Sequence, residues 1–295
     1  MPSLKEVKSR ITSVVSTQQI TKAMKMVAAA KLRKSQDRIT QLRPYAQKLA
    51  AIIQNLSAAQ GDNDSDTWYS EVRDERRILI VAISSDRGLC GSFNSNVMKG
   101  VLRLVEEKYS AQFRAGNVAV LPIGRKATEF FLKRGNFKVV TEFSTLFTNL
   151  TFDSVSSAGQ YIIENFRNGN YDKVEIVYNE FKNVATQILR AQQILPILPP
   201  KQELNTSTID YIYQPEQEEI LKGLIPKSIT IQLFKSLLDS NAAENGARMT
   251  AMDKATENAG ELLKELRLTY NRTRQAAITK EILEIVGGAE ALKSA

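Results

Sequence analysis

The chain has 295 residues and a net charge of +8, with 43% apolar and 24% charged residues, which is typical of a folded protein with one or two cores. It contains no histidine, so both the usual general base near neutral pH and the commonest metal ligand are missing, which argues against catalysis. The single cysteine, Cys90, excludes an internal disulfide, and no apolar run approaches the roughly 18 residues of a membrane span.

Apolar residues recur at three- and four-residue spacing from Leu4 to Leu56, which predicts a long helix with a coiled-coil seam. The seam residues are Leu4, Val7, Ile11, Val14, Ile39, Leu42, Ala46, Leu49, Ile53 and Leu56. Between these blocks Ile20, Met24 and Val27 keep the spacing but fall out of phase. Pro44 removes one backbone hydrogen bond, so we expect a curved but unbroken helix.

Positive charge is concentrated in this first helix. Residues 1–60 hold eleven lysines and arginines against two acidic residues, Glu6 and Asp37. Such a segment suits a nucleic acid, an acidic protein surface, or simply a solvated helix face. Tyr45 is the only aromatic residue within it, which leaves little to stack on bases. A basic coiled-coil protein that binds nucleic acid is therefore kept as the alternative interpretation.

The middle of the chain follows a polar stretch at 57–76 and alternates strand and helix patterns. Strands are predicted at 77–83, 117–123, 137–143, 172–181 and 184–197, and helices at 92–109, 125–134 and 151–168. This order predicts an α/β, Rossmann-like domain with a mainly parallel sheet and a hairpin at its edge.

A second ladder of apolar and small residues follows Pro226 and predicts a long C-terminal helix, antiparallel to the first. Its residues are Met249, Met252, Thr256, Ala259, Leu263, Leu266, Tyr270, Thr273 and Ala277. Gly287 and Gly288 predict the end of this helix. Helices of about 53 and 70 residues would be roughly 80 and 105 Å long. A compact chain of this length is only about 50 Å across, so we expect the pair to protrude and another protein to surround it.

These patterns divide the chain into four segments. They are an N-terminal coiled-coil helix at 1–57, a linker at 58–76, the α/β domain at 77–212 and a C-terminal coiled-coil helix at 213–295.

The loop SSDRGLCGSFN at 84–94 follows a strand and opens a helix, where doubly wound sheets hold phosphates. The spacing of Gly88 and Gly91 does not match the dinucleotide fingerprint, and no Gly-Lys-Ser/Thr run is present. Cys90 has no histidine as a base, so a small buried cysteine is the preferred interpretation. Glu281 and Glu284 suit a solvated face or partner contacts better than acid–base work. We predict no catalytic residue, no metal site and no cofactor.

Three separated segments resemble the gamma subunit of F-type ATP synthases. They are TQQITKAMKMVAAAKLRK at 17–34, SSDRGLCGSFN at 84–94, and a pair of segments near the C-terminus, ENGARMTAMDKATENAG at 244–260 and NRTRQAAITKEILEIVGGAEAL at 271–292. The resemblance implies a rotating central shaft inside a ring of alternating alpha and beta subunits. Its α/β domain would sit on the membrane rotor ring, the c-ring, beside the epsilon subunit. The shaft would couple proton-driven rotation to the catalytic beta subunits and perform no bond chemistry itself.

The resemblance also assigns partner contacts by position. Four residues fall where the shaft meets an acidic lever of the beta subunit: Met24, Lys25, Lys31 and Arg87. Three more are similar to polar contacts with a beta-subunit loop, namely Arg248, Arg274 and Gln275. The apolar tip turning in a sleeve would consist of Ile282, Ile285, Val286, Ala289 and Leu292. The foot on the rotor ring would include Tyr211 and Tyr213, with Gln214 where some relatives have glutamate.

The first residues, MPSLKEVKSRI, have no apolar stretch of the kind found in signal peptides. Met1 directly before the first helix favours a bacterial chain over an imported precursor. We therefore expect a peripheral position at the cytoplasmic face of the bacterial plasma membrane, held by partners and without direct membrane insertion.

Overall fold

The computed structural model describes residues 3–59, 68–197 and 217–293. The helices are α1 (Leu4–Ala59), α2 (Phe93–Lys108), α3 (Ser110–Arg114), α4 (Arg125–Arg134), α5 (Phe152–Arg167) and α6 (Gln217–Lys293), with a 3-10 turn at Leu146–Asn149. The strands are β1 (Ile78–Ile83), β2 (Val118–Ile123), β3 (Lys138–Val139), β4 (Lys173–Phe181) and β5 (Gln187–Leu195). The predicted α/β class with long terminal helices is confirmed.

The five strands form one sheet in the order β3-β2-β1-β4-β5. β1 pairs in parallel with both β2 and β4, β2 pairs in parallel with β3, and β5 is antiparallel to β4. The predicted parallel sheet with an edge hairpin is therefore confirmed. β1 and β2 are buried along their whole length, which explains why they are continuous apolar runs rather than alternating ones.

Each face of the sheet is covered by helices. Successive side chains of a strand point to opposite faces, so β1 contributes to two cores. One core joins β1 to α5 and α6 through Leu79, Val81, Ile83, Ile162, Phe166, Leu233 and Leu237. The other joins it to α2 and α4 through Ile78, Ile80, Ala82, Val97, Val101 and Phe131.

The link from β2 to α4 depends on one glycine. Gly124 has φ of 101°, a conformation that side chains rarely adopt, and its α-carbon lies against the backbone of Ser84. The Ser84 hydroxyl accepts a hydrogen bond from the Ala127 N–H at 2.9 Å, which ties the end of β1 to the first turn of α4.

The strand predicted at 137–143 is wrong in extent, because only Lys138 and Val139 form β3. The ladder with β2 ends just beyond them, where the Val140 N–H donates to the Val120 carbonyl. Phe143 then turns inward and is buried in the core below the sheet, which is incompatible with a continued edge strand.

The chain separates into two compact units, Met1–Ala28 with Met249–Ala295, and Ala29–Arg248. We call them the helix-pair unit and the sheet unit. In the helix-pair unit Lys25 pairs with Asp253 at 2.5 Å, and the hydroxyls of Thr21 and Thr256 are 2.7 Å apart. Further towards the N-terminus, the Gln18 amide donates to the Thr256 carbonyl at 3.4 Å. The contacts run in opposite directions along the two segments, which confirms the antiparallel pairing.

Ile20 and Val27, which fall out of phase in the sequence, lie outside the seam, while Met24 is partly buried. Ile20 and Val27 are 59% and 56% exposed, whereas Thr21 and Ala28 are buried. The seam keeps its phase through Thr21 and Ala28. The Thr21 and Thr256 hydroxyls contact each other, and each also lies within hydrogen-bond distance of a carbonyl of its own helix, that of Gln18 or Met252.

The predicted end at Gly287 and Gly288 is also wrong, since α6 continues to Lys293. Neither glycine has the positive φ of a helix-closing residue, and the helix-forming Ala-Glu-Ala-Leu-Lys sequence follows. The seam ladder ends before Ala277, which is exposed.

Pro44 lies inside α1 without ending it. Within the described ranges, no helix combines the length and apolarity required to cross a membrane.

Candidate partner-contact sites

The loop between β1 and α2 is fixed by its own polar side chains. The Ser85 N–H donates to the Asn94 side-chain oxygen at 2.9 Å, and the Ser85 hydroxyl donates to the Arg87 carbonyl at 2.6 Å. Cys90 is buried beside Phe93, and burial raises the pKa of its thiol. The interpretation of Cys90 as a small buried residue is therefore supported over that of a nucleophile.

The crevice at the carboxyl ends of β1 and β4, where doubly wound folds bind ligands, is filled by α6. Ala243 is fully buried against Cys90 and Phe93, and Ala247 and Phe181 pack on the same cluster. A backbone cradle for a phosphate needs free amides facing open space. This crevice instead holds apolar side chains.

Arg248 joins α6 to the same loop. Its guanidinium donates to the carbonyl oxygens of Gly88 at 2.5 Å and Arg87 at 3.3 Å, and to the Glu244 carboxylate at 2.5 Å. The side chains of Arg248 and Glu244 are only 13% and 14% exposed. Burial raises the pKa of Glu244, while the neighbouring Arg248 opposes that rise. The N–H groups of the Arg248 guanidinium therefore donate to acceptors of this chain, although the resemblance assigned Arg248 to a partner contact.

Lys31 and Arg87, two of the residues assigned to the beta-subunit lever, line one open groove of about 690 Å³ in the sheet unit. We call it the basic groove. Its charged lining comprises Lys31, Lys34, Arg38, Arg87 and Arg125, with Asp86 and Glu244 as the acidic members. The cations outnumber the acids, so the groove is suited to an anionic surface.

Three of these cations were missed by sequence reasoning. Lys34 and Arg38 lie three and seven residues after Lys31, so helical spacing alone could have found them. Arg125 could not be found in this way, because it reaches the groove only through the parallel pairing of β1 with β2. Its N–H donates to the Asp86 carboxylate at 3.2 Å, which ties the two loops together.

The other two residues assigned to the lever, Met24 and Lys25, belong to the helix-pair unit. Lys25 forms an ion pair with Asp253, and both side chains remain partly exposed. Met24 is partly buried. On another side of α1, Ile20, Met26 and Val27 are all more than half exposed.

The end of α6 is exposed on every side from residue 274 to residue 289. Arg274 and Gln275 therefore present their side chains to solvent. Large apolar residues follow them, with Ile282 54%, Ile285 67% and Val286 54% exposed. Leu283 and Ile278 are exposed as well, as is Ala289. Exposed apolar surface of this density on one helix is typical of a protein contact.

Tyr211, Tyr213 and Gln214 lie outside the described residues. The backbone of Leu292 continues α6, but its side chain is outside the described set.

Asp239 is a buried acidic residue that sequence reasoning did not single out. Its side chain is 1% exposed, and the nearest cation, the Arg43 guanidinium, is 3.9 Å away. In the described part of the chain neither of its carboxylate oxygens has a hydrogen-bond partner. Burial raises the pKa of Asp239 to about 6, with Lys235 and Arg43 opposing the rise and Glu180 adding to it.

The chain matches known proteins over almost its whole length. The family profile described as ATP synthase matches residues 3–292. The ATP synthase gamma chain of Cytophaga hutchinsonii is 57% identical over 297 residues, covering 100% of both chains. The gamma chains of Flavobacterium psychrophilum and Chlorobaculum tepidum are 53% and 47% identical, each covering 99% of this chain and 100% of the relative.

Solved structures agree in fold. The chain is similar to a chain of the Tetrahymena thermophila mitochondrial ATP synthase central stalk and c-ring, with a TM-score of 0.56 and 25% identity. That match covers 80% of this chain and 99% of the other. A chain of the Euglena gracilis mitochondrial ATP synthase gives a TM-score of 0.66 at 19% identity, covering 98% and 94%. None of these comparisons supports binding of nucleic acid.

Proposed function

The chain belongs to the ATP synthase family as one of its gamma chains, a central-stalk subunit, and on this premise we propose how its surfaces couple rotation to nucleotide binding. The observation that carries the proposal is the end of α6, where residues 274–289 are exposed and rich in large apolar side chains. Such a helix requires a surrounding partner to cover it. A ring of alternating alpha and beta subunits is the partner that we propose.

In this proposal the chain acts as the shaft. Rotation of an asymmetric shaft favours different conformations of each beta subunit in turn, so that ion-driven rotation becomes a change in nucleotide affinity. The driving ion that we propose is the proton. The chain itself carries out no bond chemistry, and its contribution is mechanical.

Apolar contacts suit a rotating bearing because they have no preferred direction. Ile282, Ile285 and Val286, with Ala289 and Leu292 further along α6, form the proposed tip inside the sleeve. Their exposure supports this role for the three large residues. Arg274 and Gln275, just before the tip, are proposed to contact a loop of the beta subunit.

The basic groove is the proposed site of electrostatic contact with the acidic lever of the beta subunit. Lys31 and Arg87 are exposed and line it together. Exposed charges of this kind interact through a field that salt screens over about 8 to 10 Å. Each pair contributes little, so the lever can slide past without being held by one salt bridge. Met24 and Lys25 are proposed to contact the same lever.

The remaining partners follow from the same premise. We propose that the sheet unit contacts the epsilon subunit and the c-ring, with Tyr211, Tyr213 and Gln214 in the foot. The four segments 1–57, 58–76, 77–212 and 213–295 would then serve as shaft, linker, foot domain and shaft. The complex would hold the chain at the cytoplasmic face of the bacterial plasma membrane as a peripheral subunit.

The double substitution Arg274→Ala with Gln275→Ala tests the shaft. Both side chains are exposed, so we expect normal secondary structure and an unchanged melting temperature for the chain. In the assembled ATP synthase we expect ATP synthesis to fall by roughly fivefold, the effect of losing about 1 kcal/mol of partner contact.

Lys264→Ala with Glu265→Ala provides a matched control, because it alters another exposed pair on α6 to which no contact is assigned. Unchanged synthesis in the Arg274 and Gln275 variant would contradict the proposed contact. Loss of helix content in the isolated variant would contradict the claim that these side chains face a partner.

A further inference from the structure

We infer that Arg248 is a positioning residue that holds the loop between β1 and α2 in the conformation that presents Arg87 and Leu89 to the beta subunit. The inference rests on the proposed function, because it assumes that this loop meets a partner. It differs from the assignment by resemblance, in which Arg248 itself makes the contact.

Leu89 shows that the loop is held in a costly conformation. It has φ of 63° and is the only non-glycine residue with positive φ in the described part of the chain. A branched side chain is unfavourable in the left-handed region, because its β-carbon crowds the backbone. Leu89 is also 66% exposed, so burial of its own side chain does not compensate for this strain.

The compensation comes from the groups around Leu89. Cys90, the next residue, is buried beside Phe93 and Ala243. On the other side, Arg248 binds the carbonyl of Gly88, which is the peptide group directly before Leu89, and also the carbonyl of Arg87. Holding the Gly88 carbonyl fixes the peptide plane against which φ of Leu89 is measured, and holding the Arg87 carbonyl fixes the peptide plane before it.

Arg248 is itself oriented by Glu244, one turn earlier on α6, at 2.5 Å. Both side chains are largely shielded from water, where a charge-assisted hydrogen bond is stronger than on the surface. The planar fork of a guanidinium can reach two carbonyls and a carboxylate together, whereas the single ammonium of lysine cannot match that geometry.

The consequence is a preorganised contact. Arg87 and Leu89 are exposed, one charged and one apolar, on a loop in which Arg248 holds the Gly88 carbonyl and shares the Arg87 carbonyl with the Ser85 hydroxyl. A surface ordered in advance loses less conformational entropy when a partner binds. Residues that expose strained backbone in this way are commonly found at binding sites.

The test is a double-mutant cycle in the assembled ATP synthase. The variants are Arg248→Lys, Arg248→Ala, Arg87→Ala with Leu89→Ala, and the last combined with Arg248→Ala. ATP synthesis is measured for each. We expect Arg248→Lys, Arg248→Ala and the loop variant to lower synthesis by similar factors, and the combined variant to be no lower than the loop variant alone.

Hydrogen exchange of the full chain gives a second readout. In Arg248→Lys we expect the amides of residues 87–91 to exchange roughly tenfold faster while those of β1 remain protected. Tyr109→Phe is the matched control for a purely structural effect, because it removes the hydrogen bond from Tyr109 to the buried Glu175 carboxylate and leaves the loop untouched. It should lower stability without changing exchange in the loop.

The outcomes separate the inference from the proposed function. If ATP synthesis in the combined variant falls by the product of the factors measured for Arg248→Ala and for the loop variant, Arg248 does not act through the loop. The inference then fails while the lever contact stands. If the loop variant synthesises ATP normally, the loop does not meet the beta subunit, and that part of the proposed function fails together with the inference. Unchanged loop exchange in Arg248→Lys would overturn the inference even where Arg248→Ala proves unstable.

Discussion

Replacing Asp239 by asparagine tests the energetic cost of the buried carboxylate on α6. Its pKa of about 6 lies roughly two units above its ordinary value of 3.8, chiefly because of burial. Each unit corresponds to 1.36 kcal/mol, so the charged form destabilises the fold by about 3 kcal/mol. Arg43 and Lys235 reduce this cost without removing it.

The direction in which the contribution of Asp239 to stability changes with pH follows from proton binding. Between pH 3.8 and about 6 the folded chain holds the Asp239 proton more tightly than the unfolded chain does. The contribution of this group to stability is therefore fully present below that window and is lost as the pH rises through it. Asparagine has the same shape and no charge, but its amide also requires partners. We expect Asp239→Asn to raise the free energy of unfolding by about 1 to 3 kcal/mol at pH 7.5 and to change it little at pH 4.

Urea unfolding of the full chain followed by circular dichroism, from pH 4 to 7.5, measures this difference. Subtracting the wild type at each pH cancels the other titrating groups. Asp37→Asn is the matched control, because Asp37 is exposed on α1 and should change stability by less than about 0.5 kcal/mol. A difference for Asp239→Asn that does not vary with pH, or a variant less stable than the wild type at pH 7.5, would show that the reasoning is wrong.

Two further predictions concern backbone and seam. Gly124→Ala should cost more than about 2 kcal/mol in urea unfolding, because its φ is 101° and the new methyl would collide with the Ser84 carbonyl. Gly88→Ala, where an added methyl meets nothing within 4 Å, is the control, and equal costs would exclude this explanation. Thr21→Val should lower stability by about 0.5 to 1 kcal/mol, because the Thr256 hydroxyl loses this contact and keeps only its hydrogen bond to the Met252 carbonyl. The double variant with Thr256→Val should recover most of that loss, and purely additive losses would refute the pairing.

Much of the sheet unit could be predicted from local pattern. β1 and β2 are unbroken apolar runs because helices cover both faces of the sheet, and this pattern can be recognised in the sequence. α4 begins and ends at the predicted residues, Arg125 and Arg134, and Gly135 closes it in the left-handed conformation. The length of β3 was overestimated. An edge strand with one partner ends where the chain turns inward towards the core, as at Phe143, and local sequence pattern does not mark that point.

The helix pair was harder to predict where its seam is polar. Apolar periodicity pointed to Ile20 and Val27, whereas the structure uses Thr21, whose partner Thr256 lies 235 positions along the chain. Gly287 and Gly288 looked like a stop signal, but glycine closes a helix only when its φ becomes positive.

The candidate sites also differ in how far the sequence could predict them. The residues near Ile282 were assigned by the resemblance, and helical spacing alone does not show that they are left exposed. The role of Arg248 could not be predicted, because its acceptors are backbone carbonyls of Arg87 and Gly88, and a carbonyl carries no signature in the sequence. The isolation of Asp239 was equally hidden, since it depends on which side chains fail to reach it.

The crevice filled by α6 has a consequence for the shaft role proposed above, in which the partner subunits bind and release nucleotides. A doubly wound sheet with an open crevice would change its stiffness whenever a ligand entered or left. Here Ala243 and Ala247 occupy that position permanently, next to Cys90 and Phe93. In the proposed shaft, this crevice therefore offers no opening through which nucleotide concentration would alter the stiffness of the sheet unit.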